Sequence, residues 1–211
     1  MEYNHIMQMI DEYGNATRIS LLQNDIGILN IKETSKVQHQ VVCIDSDAEK
    51  IIALEGINTG GSTKYYVTKY ASDYNCVFAQ DINSIFEDYA ITKTISSFYA
   101  FGDYFMLSDF LGTSILCGFK ETRIEVIFCE SNIEYARNYY KNGKFEHFYI
   151  PETNNIYRLD LCTGVLESLD YDLDNEKYVI RSILAYDDKL MISKYTGDGE
   201  HEEVLYLLSQ E

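Results

Sequence analysis

Short apolar segments separated by turn residues recur along the whole chain. Runs rich in Ile, Val, Tyr and Phe alternate with turn clusters such as Gly102-Asp103, Asn142-Gly143 and Asp187-Asp188. Runs of this length and composition are typical of β-strands, and the dipeptides between them favour tight hairpins. The pattern therefore predicts an all-β fold built from many short antiparallel strands.

Two segments that lie 85 residues apart are closely similar. Residues 95–112 (ISSFYAFGDYFMLSDFLG) and 180–197 (IRSILAYDDKLMISKYTG) are identical at seven of eighteen positions without a gap. A second similarity pairs residues 24–31 with residues 154–161, which lie 130 residues further along the chain. Both spacings agree with one unit of about 42 residues, repeated five times.

Each unit predicts four strands, which we call A to D. In the best-defined unit they lie at about 95–101, 104–109, 114–119 and 123–129. The same order fits 38–81 and 133–169, fits 178–208 with a weak or missing last strand, and fits 5–38 with a doubtful first strand. Four short antiparallel strands in forty-odd residues is the period of a β-propeller blade. We therefore predict a single domain, residues 1–211, of five four-stranded blades.

The segment NNIYRLDLCTG, residues 154–164, resembles the third strand and following turn of bacterial β-propeller repeats. In those repeats the strand ends in an Asp-x-x-Thr-Gly turn. The segment ILAYDDKLMIS, residues 183–193, resembles the hairpin between their first two strands. The resemblance implies the propeller superfamily without a particular family, and it carries over no catalytic residue.

One stretch predicts a helix inside this strand pattern. Residues 81–94 are longer than a connection between blades needs, and Ser84 and Glu87 have the spacing of a capping box. We therefore expect a short inserted helix near 82–90.

Two further segments leave an alternative open. Residues 132–141 follow a second capping box, Ser131 and Glu134, and fit a helix as well as a strand. Residues 5–13 place their apolar side chains on one helical face. If both segments were helical, an α+β fold would replace the propeller.

The charge of the chain limits its partners. It contains 34 acidic and 17 basic residues, which gives a net charge of −17. Nucleic-acid binding requires a cationic surface, and attraction to an anionic membrane requires one too. We therefore expect neither nucleic-acid binding nor membrane attachment. The first residues have no signal-like run, and the five scattered cysteines fit free thiols, so we expect a cytoplasmic protein.

In a propeller the B–C and D–A connections share one rim, and here those connections are rich in acidic and aromatic residues. The candidate partner-binding residues are Asp109, Phe110, Asp170, Tyr171, Asp172, Asp174, Glu200, Glu202 and Glu203. Such a rim attracts a cationic partner and offers it aromatic anchors. No catalytic or nucleotide-binding motif is found, so our first hypothesis is a non-enzymatic module that binds a basic protein, as immunity proteins and inhibitors do.

Two other interpretations of the acidic residues remain. Glycosidases with five-bladed propellers use three carboxylates around the central funnel, so a glycan-binding protein or glycoside hydrolase is the alternative function, by analogy of fold. Asp170, Asp172 and Asp174 have the alternating spacing of a calcium loop. Because Arg181 occupies the position where that loop needs a bidentate Glu, calcium is a weak possibility, and no other cofactor is expected. The oligomeric state stays open.

Overall fold

The computed structural model describes residues 6–10, 16–20, 37–47, 50–59, 61–71, 76–138, 144–171, 179–186, 189–196 and 201–207. In this part of the chain the fold is all-β with one short helix, α1 (Asn83–Asp88). The strands form four four-stranded sheets and a hairpin of β1 (Ile6–Ile10) with β2 (Ala16–Ser20). The all-β prediction is therefore confirmed.

The four sheets follow one another along the chain, except that one short strand of the fourth sheet lies between two strands of the third. The first contains β3 (Val37–Asp47), β4 (Lys50–Thr59), β5 (Ser62–Tyr70) and β6 (Cys76–Asp81); the second contains β7 (Ile95–Phe101), β8 (Tyr104–Asp109), β9 (Thr113–Lys120) and β10 (Arg123–Ser131). The third contains β11 (Glu134–Tyr135), β13 (Phe145–Ile150), β14 (Asn155–Asp160) and β15 (Leu166–Leu169). The fourth contains β12 (Arg137–Asn138), β16 (Val179–Tyr186), β17 (Lys189–Tyr195) and β18 (His201–Leu207). Neighbouring strands are antiparallel except β12 and β16, which are parallel.

Three sheets share the register of their hairpin. In the second sheet, β7 and β8 form five consecutive pairs, from Phe101–Tyr104 to Ser97–Ser108, and then a bulge precedes the pair Ile95–Asp109. The β3–β4 and β16–β17 hairpins repeat these five pairs and this bulge. The 85-residue similarity therefore relates two sheets with the same register, which are separated along the chain by the third sheet.

Consecutive sheets pack face to face. Phe105 and Leu107 of β8 lie in a core shared with the first sheet and α1, while Met106 between them lies in a core shared with the third sheet. This alternation follows from the two-residue period of a strand. Ile156 of the third sheet and Ile192 of the fourth belong to the next core. Burying each such side chain contributes about 1.5–3 kcal/mol to stability.

The first sheet is also buried on its other face. Ile51, Ala53 and Glu55 of β4 alternate with the residues that face the second sheet, yet they are only 4%, 0% and 0% exposed. The Glu55 carboxylate accepts hydrogen bonds from the Thr68 and Tyr70 hydroxyls. A buried carboxylate needs such donors, since leaving it unpaired costs several kilocalories per mole. This face is therefore a packed interior surface.

The inserted helix is confirmed, but its predicted cap is wrong. Helix α1 begins at Asn83, and its Phe86 is buried. Ser84 lies inside the helix, the N-cap position belongs to Ile82, and no side chain at that position caps the helix. The Asn83 amide, at the start of the helix, donates to Asp81 Oδ1 at 2.9 Å.

The α+β alternative is wrong in the part of the chain that the structure describes. Ser131 ends β10, and the residues after it form β11 and β12, so the second capping box starts no helix. Residues 6–10 form β1. Residues 11–15 and 139–143 lie outside the described residues, as does the 24–31 segment of the second sequence similarity. Among the residues described, no helix has the length and apolar character needed to cross a membrane.

Candidate functional site

Several connections between strands lie along one edge of the sheets, which we call the rim. The Asn132 amide, between β10 and β11, donates to the Gly112 carbonyl in the β8–β9 turn at 2.7 Å. Asn132 Nδ2 donates to Glu152 Oε1, in the β13–β14 turn, at 2.9 Å. The Ile180 amide donates to Asn154 Oδ1 of the same turn at 2.9 Å. These bonds join B–C and D–A connections, as the sequence predicts.

Asp109 organises the β8–β9 turn from inside. Its side chain is 2% exposed; Oδ1 accepts the amides of Leu111 and Thr113 at 2.9 Å, and Oδ2 accepts the Thr92 amide at 2.8 Å. Burial alone would raise the pKa of this carboxyl, but the amide donors outweigh burial and hold the pKa below its ordinary value. The Asp109 carboxylate thus binds two amides of its own turn and one from the connection before β7, and its role in partner binding stays a prediction.

The same turn presents two apolar side chains to solvent. Phe110 and Leu111 are each 76% exposed. The next residue, Gly112, has φ of +93°, and a Cβ there would lie 2.2 Å from Asn132 Oδ1. Glycine is therefore required both by the backbone conformation and by the close approach of Asn132. We call the exposed pair Phe110 and Leu111 the apolar tip.

A cleft of about 290 Å³ lies between the second and third sheets. One of its lining residues, Asn132, donates its backbone amide to the carbonyl of Gly112, which directly follows the apolar tip. The cleft is lined by Glu130, Ser131, Asn132, Ile150, Glu152, Thr153, Asn155 and Tyr157. None of these eight residues is basic, and two are carboxylates. The cleft therefore offers many hydrogen-bond acceptors and a negative charge that none of its lining residues neutralises.

Two contacts orient the walls of the cleft. The Tyr157 ring packs on the Phe128 ring with centroids 4.7 Å apart, which holds an aromatic surface at one side. The Asn132 side chain donates a hydrogen bond to the Glu152 carboxylate, and both residues line the cleft. Ile150 is 6% exposed and adds an apolar residue to the lining. The cleft combines carboxylates, neutral acceptors and an aromatic face within a small volume.

The other sequence-predicted site residues are distributed along the rim and beyond it. Asp170 is exposed after β15, and Tyr171 is half-buried against the core between the third and fourth sheets. Glu202 and Glu203 belong to β18, where their backbones pair with Lys194 and Ser193. Asp172, Asp174 and Glu200 lie outside the described residues. The structure therefore brings the predicted Phe110 next to the cleft and leaves the calcium hypothesis a prediction.

Glu130 and Glu152 lie in connections that the sequence predicts to share the rim, but the sequence interpretation selected neither of them and did not consider Tyr157. Asn132, with φ of 56°, was read only as part of a capping box. The sequence could have pointed to this site through Glu130, Asn132 and Glu152, because all three lie in connections predicted to share one rim. No sequence pattern indicated that these connections enclose a cleft.

In the glycan interpretation, the carboxylates at the A–B hairpins would serve the chemistry at the central funnel, and the structure describes them only in part. Asp103, in the β7–β8 turn, forms an ion pair with Lys69 at the edge opposite the rim. Asp45 and Asp47 lie in β3, and Asp11, Asp187 and Asp188 lie outside the described residues. Among the described residues, no group of three His, Cys, Asp or Glu side chains is placed to hold a metal ion.

The chain was compared with known proteins by sequence and by structure. No protein-family model matches it, and no curated protein matches it in sequence. Its structure is similar to that of Pyrococcus horikoshii acylaminoacyl peptidase in an orthorhombic crystal form, with a TM-score of 0.49 and 10% identity over 95% of this chain and 34% of that chain. The uncomplexed form of the same peptidase gives a TM-score of 0.46 and 12% identity over 92% of this chain and 34% of that chain. The N-terminal domain of Nup159 gives a TM-score of 0.35 at 10% identity, over 85% of this chain and 53% of that one.

The chain therefore spans about a third of the peptidase chain it matches. These values assign the chain to no family. The class defined by its own coordinates is an all-β protein with four-stranded sheets packed face to face in succession.

Proposed function

We propose that this protein is a non-enzymatic, cytoplasmic binding module that holds a basic protein partner at its rim, in the manner of an inhibitor or immunity protein. The observation that carries this proposal is the cleft between the second and third sheets, with Glu130 and Glu152 in its lining and the apolar tip beside it. No cofactor is needed for such a role.

The electrostatics of the molecule support this function. A chain with a net charge of −17 attracts cationic proteins and accelerates their encounter with it. Affinity then requires local anchors, because exposed ion pairs contribute only about 0–1 kcal/mol each. Phe110 and Leu111 supply exposed apolar surface next to the cleft, where a partner would cover both.

The proposal includes a five-bladed propeller as the scaffold. Three observations support it: the shared register of three hairpins, the face-to-face packing of consecutive sheets, and the adjacency of β3 and β7, the first strands of their sheets. The burial of Ile51, Ala53 and Glu55 adds a fourth, because a preceding blade would cover that face of the first sheet. The β1–β2 hairpin would belong to that fifth blade.

Affinity capture tests the function. Immobilised protein in low salt should retain a basic protein from the cells that produce it, and the retained amount should fall steeply at about 0.5 M salt, where the Debye length shrinks to a few ångströms. The double variant Glu130→Gln/Glu152→Gln and the variant Phe110→Ser should each lose the partner. Glu121→Gln removes one exposed charge in the β9–β10 turn, at the opposite edge, and should retain it. The proposal is contradicted if retention of the partner does not depend on salt concentration, or if all variants lose the partner equally.

A glycan ligand is the second candidate, and the composition of the cleft favours it. Carboxylates and amides that accept hydroxyl donors, next to an aromatic ring such as Tyr157, also suit a sugar. Such binding would be insensitive to salt because the ligand is neutral. Glycan-array binding that Glu130→Gln abolishes, together with no capture of a basic protein, would select this function.

A further inference from the structure

We infer that the cleft is a pocket for one arginine side chain of the partner, and that the apolar tip receives an apolar residue beside that arginine. This inference rests on the proposed function, since it specifies which chemical group of a basic partner the rim recognises. It is argued from the lining of the cleft, from its aromatic wall and from its connection to the tip.

The two carboxylates of the lining favour a ligand that carries positive charge and donates hydrogen bonds. Glu130 and Glu152 bring carboxylate oxygens, and Ser131, Thr153 and Asn155 bring neutral oxygens around them. A guanidinium carries five N–H donors and no acceptor, so it can satisfy several of these oxygens at once. An ammonium has three donors and concentrates its charge at one point, which leaves more of the lining unpaired.

The aromatic wall favours binding of arginine over lysine more strongly than the hydrogen-bonding groups do. Tyr157 is held against Phe128 with ring centroids 4.7 Å apart, and it is only half-buried, so its ring contributes to the cleft surface. A planar guanidinium stacks on such a ring while its edge donates to carboxylates, and it is more weakly hydrated than an ammonium. The Glu152 carboxylate, in the same lining, is oriented by the hydrogen bond that Asn132 donates to it.

The chain already contains the same contact in another place. Arg158 lies over the Phe145 ring at 4.5 Å, and its Nε donates to Glu167 Oε1 on the neighbouring strand. A guanidinium between an aromatic face and a glutamate is therefore compatible with the third sheet. In the cleft, the aromatic face and the glutamates are present, and none of the eight lining residues supplies the cation.

The connection to the apolar tip extends the site to a second residue. The Gly112 carbonyl accepts the Asn132 amide, so the Phe110–Leu111 turn and the cleft wall are one hydrogen-bonded unit. A partner segment that places arginine in the cleft passes next to side chains that are 76% exposed. Covering those side chains favours an apolar neighbour.

Nuclear magnetic resonance titration of isotope-labelled full-length protein tests the inference. The probes are the Nα-acetyl methylamides of arginine, lysine and citrulline, the last being neutral and nearly isosteric with arginine. The arginine probe should give saturable amide shifts at residues 130–132 and 150–157, with an affinity at least about fivefold above that of the lysine probe. The citrulline probe should give no saturable shift. Equal affinity for arginine and lysine, or shifts confined to other regions, overturns the arginine pocket.

Variants and a fourth probe separate this inference from the proposed function. Glu130→Gln and Glu152→Gln should each weaken the arginine probe about three- to tenfold, the range for one exposed charge-assisted hydrogen bond, while Glu121→Gln should not change it. An octalysine peptide tests the acidic rim as a whole. If octalysine binds the rim but arginine has no preference for the cleft, the pocket is wrong and the function stands. If neither binds, both fail.

Discussion

His147 is a buried histidine whose ring nitrogens have no hydrogen-bond partner in the described part of the chain. It lies in β13 opposite Arg158 and is 1% exposed, and neither Nδ1 nor Nε2 has a partner among the described residues. Burial, with a smaller contribution from the charge of Arg158, lowers the pKa of His147 from 6.5 to about 4. The folded protein therefore holds this side chain neutral at physiological pH.

This lowered pKa predicts acid sensitivity. The unfolded chain takes up a proton near pH 6.5 and the folded chain only near pH 4, so the free energy of unfolding should fall as the pH drops through this interval. The loss should approach about 3 kcal/mol below pH 4. The free energy of unfolding in urea, measured at a series of pH values for the wild type and for His147→Gln, isolates this contribution, because all other titrating groups are present in both proteins. His147→Leu serves as a second variant. If the free energy of unfolding of the wild type and of both variants changes with pH in parallel, the prediction is contradicted.

The β8–β9 turn shows how one residue controls both an element and the cleft. Gly112→Ala should cost about 1–3 kcal/mol, because alanine is strained at φ of +93°. The added Cβ should also displace the Asn132 side chain and release Glu152. Gly61→Ala is the matched control, since Gly61 has φ of +109° and no atom within 4 Å of the added Cβ. Both variants should lose similar stability in urea.

Only Gly112→Ala should then shift the Asn132 side-chain amide signal and weaken the arginine probe. If Gly61→Ala has the same effect on that signal, the turn does not control the cleft locally. An unchanged Asn132 signal in Gly112→Ala would mean that the two residues are further apart in solution.

The shared hairpin register permits a matched comparison between sheets. Ile52, Met106 and Met191 occupy equivalent positions in β4, β8 and β17, but their side chains are 0%, 1% and 38% exposed. Met106→Ala should therefore cost about 2–5 kcal/mol, because it leaves a cavity between the second and third sheets. Met191→Ala should cost less than about 1 kcal/mol. Chemical unfolding of both variants measures this, and equal costs would show that another surface covers the fourth sheet in solution.

At the level of elements, the sequence predicts the hairpins well because two-residue turns determine the register. Gly102-Asp103 forces Phe101 opposite Tyr104, and all later pairs follow from that turn. The helix was predictable from the surplus length between two units. Its start was not, because Ser84 has the spacing of a capping box, whereas the path of the chain after β6 places the N-cap at Ile82, which has no side-chain oxygen.

The candidate site was predictable only as a region. Asp109 looked like a surface acid because a turn residue is usually solvated, whereas three backbone amides draw its carboxylate inside. The cleft depends on Gly112, Asn132 and Glu152, which belong to three connections and meet only when two sheets pack. The depth of a cleft between sheets is set by that packing, and no local pattern encodes it.

At the scale of the whole molecule, the excess of acidic residues has two opposing consequences. A net charge of −17 destabilises the folded state through self-repulsion, and salt screens that repulsion. In the described ion pairs, such as Lys64–Asp81 and Lys144–Asp160, at least one side chain is exposed, so each pair contributes little. Raising the salt concentration should therefore stabilise the protein and weaken its hold on a cationic partner at the same time.

Two measurements on one series of samples test these opposite effects of salt on stability and on binding. Between about 20 and 300 mM sodium chloride, where the Debye length falls from roughly 20 Å to 6 Å, the midpoint of thermal unfolding should rise while the affinity for octalysine falls. The affinity of Glu121→Gln should follow the same course as that of the wild type, since one charge in seventeen changes the long-range field little. A midpoint that falls with salt would mean that local ion pairs outweigh the repulsion. If the affinity for octalysine does not fall as salt is added, the acidic rim does not attract cations at long range, because salt would screen such an attraction.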